Sequence, residues 1–371
     1  MTGRQRLLCS LKCEPTDRVS VSPFIFHNYA RSYHKDPNAD AVEGVCDVYR
    51  YFGYDIMHRT ANIIPDDGLL DAPGFRTNTK KEQFSNGEYL HTTIGTPHRV
   101  LCSKRRFERL SPYHTVTSWV EYLIKTKEDF YVYAENQPKM IPVDLSELRR
   151  AKAYTGDDGI VAPWTNGGVF NYAADYISIE NLLLFAMTDE PFYDEMMRFF
   201  LRRLMEALEA PLQEGIDALS YGGNIANGSI VGPGFFAHHV MAYENELIDY
   251  IQSSGTPVLY HNCGDGKNMI ETYNVMGFSA FESMTEPPFA DMDLSDCIVR
   301  FRKDVALIGN IDQIYFLKKA SPGEVRGKVA GILQRAGTRK GFILGTSDFI
   351  EEDTPLQNLR AITDGVRGHY A

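Results

Sequence analysis

From about residue 157 onward, short apolar runs rich in β-branched and aromatic residues alternate with long amphipathic stretches, and each run closes in or near Gly, Asn, Asp or Ser. That is the rhythm of βα units. The runs fall at 159–163, 218–221, 257–261, 280–283, 305–309 and 342–345, and the helical stretches at 191–209, 235–253, 267–276 and 322–336. Upstream, 19–25 follows Pro15 and Asp17 as a first strand, and 55–59 follows a helix-like stretch at 40–51 as a second. Two strands plus six predict a (β/α)8 barrel, an α/β fold in which parallel strands alternate with helices. No Gly-x-Gly-x-x-Gly follows any strand, so a dinucleotide fold is not expected. The interval 73–107 breaks the rhythm. It holds Asn86-Gly87, a hairpin signal, followed by the alternating runs 91–94 and 99–101, and predicts a β-hairpin insertion on the barrel. The expected organisation is one domain over 1–371.

Composition narrows the class. In 371 residues, 43% hydrophobic and 23% charged positions supply a large core, and the net charge of -11 argues against nucleic acid, whose phosphates are met by lysine and arginine. The first 18 residues lack the apolar core of a signal peptide, and the longest apolar stretch, 179–187, is interrupted by Glu180 and Asn181. A cytoplasmic protein with no membrane span is expected. Six cysteines, Cys9, Cys13, Cys46, Cys102, Cys263 and Cys297, are too scattered for a disulfide framework and imply a reducing compartment.

In a barrel of this kind the chemistry sits on loops after the C-terminal strand ends. The run at 257–261 ends His261-Asn262-Cys263-Gly264. With a strand period of two, His261 and Cys263 project to one side, so imidazole and thiolate can converge on one zinc ion. The next strand ends Phe281-Glu282-Ser283, where Glu282 is placed as a third ligand or a general base. The last strand ends Gly345-Thr346-Ser347-Asp348, and Asp348 reaches the same mouth if the barrel closes. His261, Cys263, Glu282 and Asp348 are thus the candidate catalytic and zinc-ligating set, a mixture of nitrogen, sulfur and oxygen donors. Aromatic residues gather at Tyr29 to Tyr33, Trp164 to Tyr176 and Phe235-Phe236, which suits a planar substrate. The turn after Ser220-Tyr221, Gly222-Gly223-Asn224, allows close backbone approach, so Tyr29, Tyr221 and Asn224 are candidate substrate contacts. Lys104-Arg105-Arg106 reads first as a solvated loop, with a basic patch able to meet an acidic partner as the alternative.

Pro15-Thr16-Asp17-Arg18-Val19, Ile94-Gly95-Thr96-Pro97, Tyr260-His261-Asn262-Cys263-Gly264, Ile308-Gly309-Asn310-Ile311-Asp312 and the segment from Asp353 to Leu359 resemble the uroporphyrinogen decarboxylase superfamily over nearly the whole chain. The resemblance implies a (β/α)8 barrel and one of two chemistries. Porphyrinogen decarboxylases carry Arg-Gln-Ala-Gly-Arg after the first strand, with paired guanidinium groups for substrate carboxylates. Here that segment reads His27-Asn28-Tyr29-Ala30-Arg31, leaving Arg31 as a lone candidate substrate contact. His-x-Cys-Gly at the fifth strand instead looks like the zinc-dependent methyltransferases that work with corrinoid proteins, such as methylcobamide:coenzyme M methyltransferases. Those enzymes add a third thiolate after the last strand, where this chain has Ser347-Asp348, and in some a glutamate after the sixth. The resemblance therefore implies one zinc per chain, a corrinoid carried by a partner protein, and methyl transfer involving a small substrate. A thiolate-poor ligand set makes zinc a harder Lewis acid that prefers oxygen, which favours a methyl ether or methoxylated aromatic as donor. The alternatives are a cofactor-free decarboxylase and an inactive ligand-binding paralogue. A homodimer is compatible with the sequence.

Overall fold

A computed structural model describes residues 1–64, 72–140, 143–165, 167–337 and 339–370. The strands in chain order are β1 (Ser20–Val21), β2 (Ile56–His58), β3 (Arg76–Phe84), β4 (Gly87–Gly95), β5 (Val100–Arg109), β6 (Thr115–Glu121), β7 (Gly159–Val161), β8 (Leu219–Gly222), β9 (Val258–Asn262), β10 (Ala280–Ser283), β11 (Ala306–Ile311) and β12 (Phe342–Thr346). β1, β12, β11, β10, β9 and β8 pair in that order, all parallel, and β2 pairs with β7, also parallel. Two seams complete the ring. The Asp55 amide donates to Val21 O at 2.8 Å, joining β1 to β2, while the Ser220 amide donates to Pro163 O at 2.9 Å and the Thr165 amide to Ser220 O at 3.0 Å, joining β7 to β8. The eight parallel strands coincide with the eight apolar runs read from the sequence, and they form the expected (β/α)8 barrel.

Strand alternation sorts the core into two. Met57, Ile160, Ala162, Ala218, Leu259, Ala280, Ala306, Ile308 and Ile343 point inward and form one buried cluster. Leu7 and Leu11 from the helix Gly3–Leu11 belong to the same cluster and plug the barrel floor. That helix starts cleanly because Thr2 and Gln5 form a capping box. Outward-facing strand residues such as Val258, Tyr260, Phe281 and Leu307 pack in a second cluster against the surrounding helices.

The helix Pro322–Ala336 shows why its boundaries were legible: Ser321 and Glu324 form a capping box, Pro322 occupies the first turn, and Gly337 follows the end. The stretch 267–276 behaves differently. Only Ile270–Tyr273 is helical, because the Gly266 and Lys267 amides bond the Asp291 carboxylate at 2.7 and 2.9 Å and are held in a loop.

The insertion is larger than a hairpin over 73–107. β3, β4, β5 and β6 form a four-stranded antiparallel meander that continues past Phe107 to Glu121. β6 escapes a periodicity search because it is mostly exposed, so burial does not sort its side chains into an apolar and a polar face. In the turn between β5 and β6, Ser111 Oγ accepts from the Tyr113 and His114 amides and donates to a Glu352 carboxylate oxygen beyond β12. The meander is thereby fastened to the barrel mouth.

Candidate active site at the barrel mouth

His261 follows inward-facing Leu259 by two residues, and Glu282 follows inward-facing Ala280 by two. Parallel pairing sets His261 and Glu282 side by side. Arg59 stands in the same relation to Met57 of β2 and reaches Glu282 from another part of the ring. The result is a buried chain of three groups. Arg59 Nη1 donates to Glu282 Oε2 at 2.6 Å, Arg59 Nη2 donates to Oε1, and His261 Nδ1 donates to Oε2 at 2.9 Å. Because an ionised carboxylate only accepts, the proton on Nδ1 is fixed and Nε2 is left for the cavity.

The electrostatics follow from burial and partners. Burial works against a charged Glu282, but the Arg59 charge and the hydrogen bonds from His261 and Arg59 outweigh it and hold the carboxyl down at about 2. Burial also works against a charged His261, yet the hydrogen bonds to Cys263 and Glu282 and the charge of Asp348 push it up to about 10, so the ring carries a second proton, on Nε2, which a cation held by this set would displace. The Arg59 guanidinium lies 4.4 Å from the centre of the Phe24 ring, and Phe24 stacks on Trp164 at 5.7 Å and 12°. This aromatic wall screens the ion pair from the mouth.

His261, Cys263 and Asp348 are brought together, each offering one ligand atom within 4.8 Å of the others. Cys263 is partly exposed just beyond β9; Asp348, also partly exposed, lies two residues beyond β12, where the Ser347 amide bonds Ile311 O at 2.9 Å. Imidazole nitrogen, thiolate sulfur and carboxylate oxygen are all donors that zinc accepts, so His261, Cys263 and Asp348 would be the residues to hold it. The donor set therefore fits zinc. Glu282 is not in that cluster. It lies behind His261, locked by Arg59, in the place of a carboxylate that orients a ligating histidine.

The cluster opens on a cavity of about 340 Å³ lined by Phe24, Phe26, His27, Asn28, His114, Thr115, Trp164, Gly222, Asn224 and Phe349 together with His261, Cys263 and Asp348. Asn224 lines it, its Oδ1 accepting from Asn171 Nδ2 at 2.8 Å. Tyr221 does not. β8 pairs Gly222, not Tyr221, with His261, so Tyr221 shares the outward face with Tyr260 and is buried against the helices. Tyr29 is likewise buried in the outer core, and Arg31 lies behind His27 outside the cavity lining, close enough for its charge to act on that imidazole. Sequence reasoning missed Arg59, His27, Asn28 and His114. Arg59 carried a signal, a charge closing a strand with the parity of its inward residues; His114 carried none, since it arrives from the insertion. A second group, Glu190, His238 and His239, lies on the helical layer with Glu190 and His238 exposed and paired at 3.1 Å. No helix among the described residues is long and apolar enough to cross a membrane.

Fold and site together define a (β/α)8 barrel with an imidazole, a thiol and a carboxylate, side chains able to ligate a metal, gathered at its C-terminal mouth. Residues 159–369 match the uroporphyrinogen decarboxylase (URO-D) family, and the chain belongs to that family. A uroporphyrinogen decarboxylase from Solibacter usitatus (strain Ellin6076) is 30% identical over 141 residues, an aligned stretch covering 37% of this chain and 37% of that protein. A methyltransferase from Methanosarcina mazei superposes over all of both chains with a TM-score of 0.72 at 14% identity, a likeness of fold.

Proposed function

We propose that the chain is a zinc-dependent methyltransferase that moves a methyl group from an oxygen-bound donor, favoured as a methyl ether or methoxylated aromatic, to a corrinoid carried by a partner protein. The observation that carries this reading is the convergence of His261, Cys263 and Asp348 on one point of an aromatic-walled cavity, with Glu282 and Arg59 fixing the imidazole from behind. Zinc held there supplies a Lewis acid for the ether oxygen. The protein's own part is positional. Phe24, Phe26, Trp164 and Phe349 offer flat apolar surface to a ring, and His261, Cys263 and Asp348 mark the end of the cavity where the reacting oxygen belongs. In the transfer the methyl carbon–oxygen bond breaks with its electron pair remaining on oxygen. Cobalt(I) of the corrinoid would be the acceptor of the methyl group, and the phenoxide or alkoxide left behind takes up a proton on release.

The test combines metal analysis with a spectroscopic assay. Protein purified without chelators is expected to carry about one zinc per chain, and zinc-loaded protein to convert cob(I)alamin to methylcobalamin with at least one donor from a panel of methyl ethers, methanol and methylamines. Failure to load zinc, or no conversion with any donor, refutes the proposal. A decarboxylase is the second reading, favoured by the Solibacter relative. Coproporphyrinogen formed from uroporphyrinogen above a heat-killed control would put it first; the lone Arg31, set outside the cavity lining, argues against it.

A further inference from the structure

Asn28 sits in the first turn of the helix His27–His34, directly after β1, and lines the cavity described above. It is 2% exposed, and neither its Nδ2 nor its Oδ1 has a hydrogen-bond partner among the described residues. Buried side-chain amides are ordinarily satisfied, so a doubly unpartnered one on a cavity wall calls for a partner from outside the chain. Trp164 Nε1, on the same wall, is also buried without a partner among the described residues.

The surroundings select the partner's chemistry. An ether or carboxylate oxygen answers Nδ2 and sets a second acceptor against Oδ1; an ammonium answers Oδ1 and opposes Nδ2. A hydroxyl donates to one and accepts from the other. Its neighbour His27 is uncharged at neutral pH, since burial, reinforced by the charges of Arg31 and His114, holds it down at about 4. Of the cavity-lining residues only Asp348 is a carboxylate, and it belongs to the ligand cluster.

We propose that Asn28 is a specificity-determining residue that reads a free hydroxyl on the substrate, so that the cavity takes hydroxylated methoxyarenes in preference to fully etherified ones. This rests on the aromatic-donor reading above and narrows it. The test is direct binding, by calorimetry and by quenching of tryptophan fluorescence, which does not depend on turnover. The probes are the three methoxyphenol isomers, the three dimethoxybenzenes and methoxybenzene. At least one methoxyphenol is expected to bind the wild type about tenfold or more tightly than its dimethoxybenzene counterpart, since an analogue lacking the hydroxyl leaves the buried amide unanswered. Asn28→Leu should bring the two into line, and Asn28→Asp, which keeps an acceptor, should retain part of the preference. Thermal melting establishes that each variant folds, and the wild-type comparison decides even where a variant does not. Equal binding of each methoxyphenol and its dimethoxy counterpart by the wild type, or an undiminished preference in Asn28→Leu, overturns the role of Asn28 while leaving methyl transfer intact. If no arene binds, the aromatic-donor reading falls as well, and the cob(I)alamin panel then shows whether methyl transfer from another donor survives.

Discussion

Replacing Arg59 by Met tests whether the site is built on a buried ion pair. The Arg59 and Glu282 side chains are 0% and 2% exposed, joined by two hydrogen bonds, and Glu282 has His261 as its other partner. Removing Arg59 leaves the buried Glu282 charge with His261 as its one remaining partner and is expected to destabilise the fold by about 3 kcal/mol, the lower end of the cost of breaking a buried pair. Removing both charges is a different matter. A double replacement of Arg59 and Glu282 by Met restores apolar packing without stranding a charge and is expected to lie within about 1 kcal/mol of the wild type, or above it. Metal affinity should not follow that recovery, because His261 Nδ1 loses its acceptor in the double variant; a fall of about 10–100-fold is expected. Urea unfolding gives the stabilities and a competition titration with a chromogenic chelator gives the zinc affinities. If the single variant loses less than about 1 kcal/mol, or the double variant is as unstable as the single, the pair is not the electrostatic centre described here. If zinc affinity returns together with stability, Glu282 does not orient His261.

Three further outcomes are expected. Cys263→Ala, at a partly exposed loop position, should lower zinc content sharply while leaving the urea midpoint nearly unchanged, as read by elemental analysis and circular dichroism. Asp348→Cys should soften the site toward thiolate chemistry and allow methyl transfer from methylcobalamin to a free thiol, followed by loss of the methylcobalamin spectrum; wild-type activity confined to thiols would contradict the harder-metal argument. Glu244 is fully buried, accepts from the Val169 and Phe170 amides at 3.1 Å each, and is pushed by burial from 4.5 up to about 7. Its folded value is raised, so its contribution to stability is present in full below about pH 4.5 and is lost as pH rises to about 7, a decline of about 3 kcal/mol. Glu244→Gln should flatten that slope in pH-dependent urea titrations, and an unchanged slope would show that Glu244 is not its source.

The barrel strands were legible because each inward and outward alternation is short, apolar and closed by a turn residue, and because a charge at a strand end stands out. His261, Cys263 and Asp348 emerged from that rule. Glu282 emerged too, but its task depends on what faces it across the barrel, and pairing with Arg59 spans 223 positions of sequence. Tyr221 neighbours the turn and so points by sequence to the mouth, whereas the register with β9 gives the inward place to Gly222. The insertion was cut short at Phe107 because β6 carries no apolar stripe, and with it went His114, which enters the cavity lining from outside the barrel repeat.

The helix Gly3–Leu11 makes the barrel a cup with one rim. Among the described residues Leu7 and Leu11 close the floor, so a small donor and a bulky acceptor protein would have to use the same doorway. Whichever arrives first is trapped or excluded by the second, and a seated macromolecule would block a donor from entering behind it. The proposed transfer would then follow an order, with the donor in first and the demethylated product unable to leave until the acceptor departs. Initial-rate kinetics would then show a compulsory sequence, and excess acceptor would inhibit by closing the doorway on an empty cup.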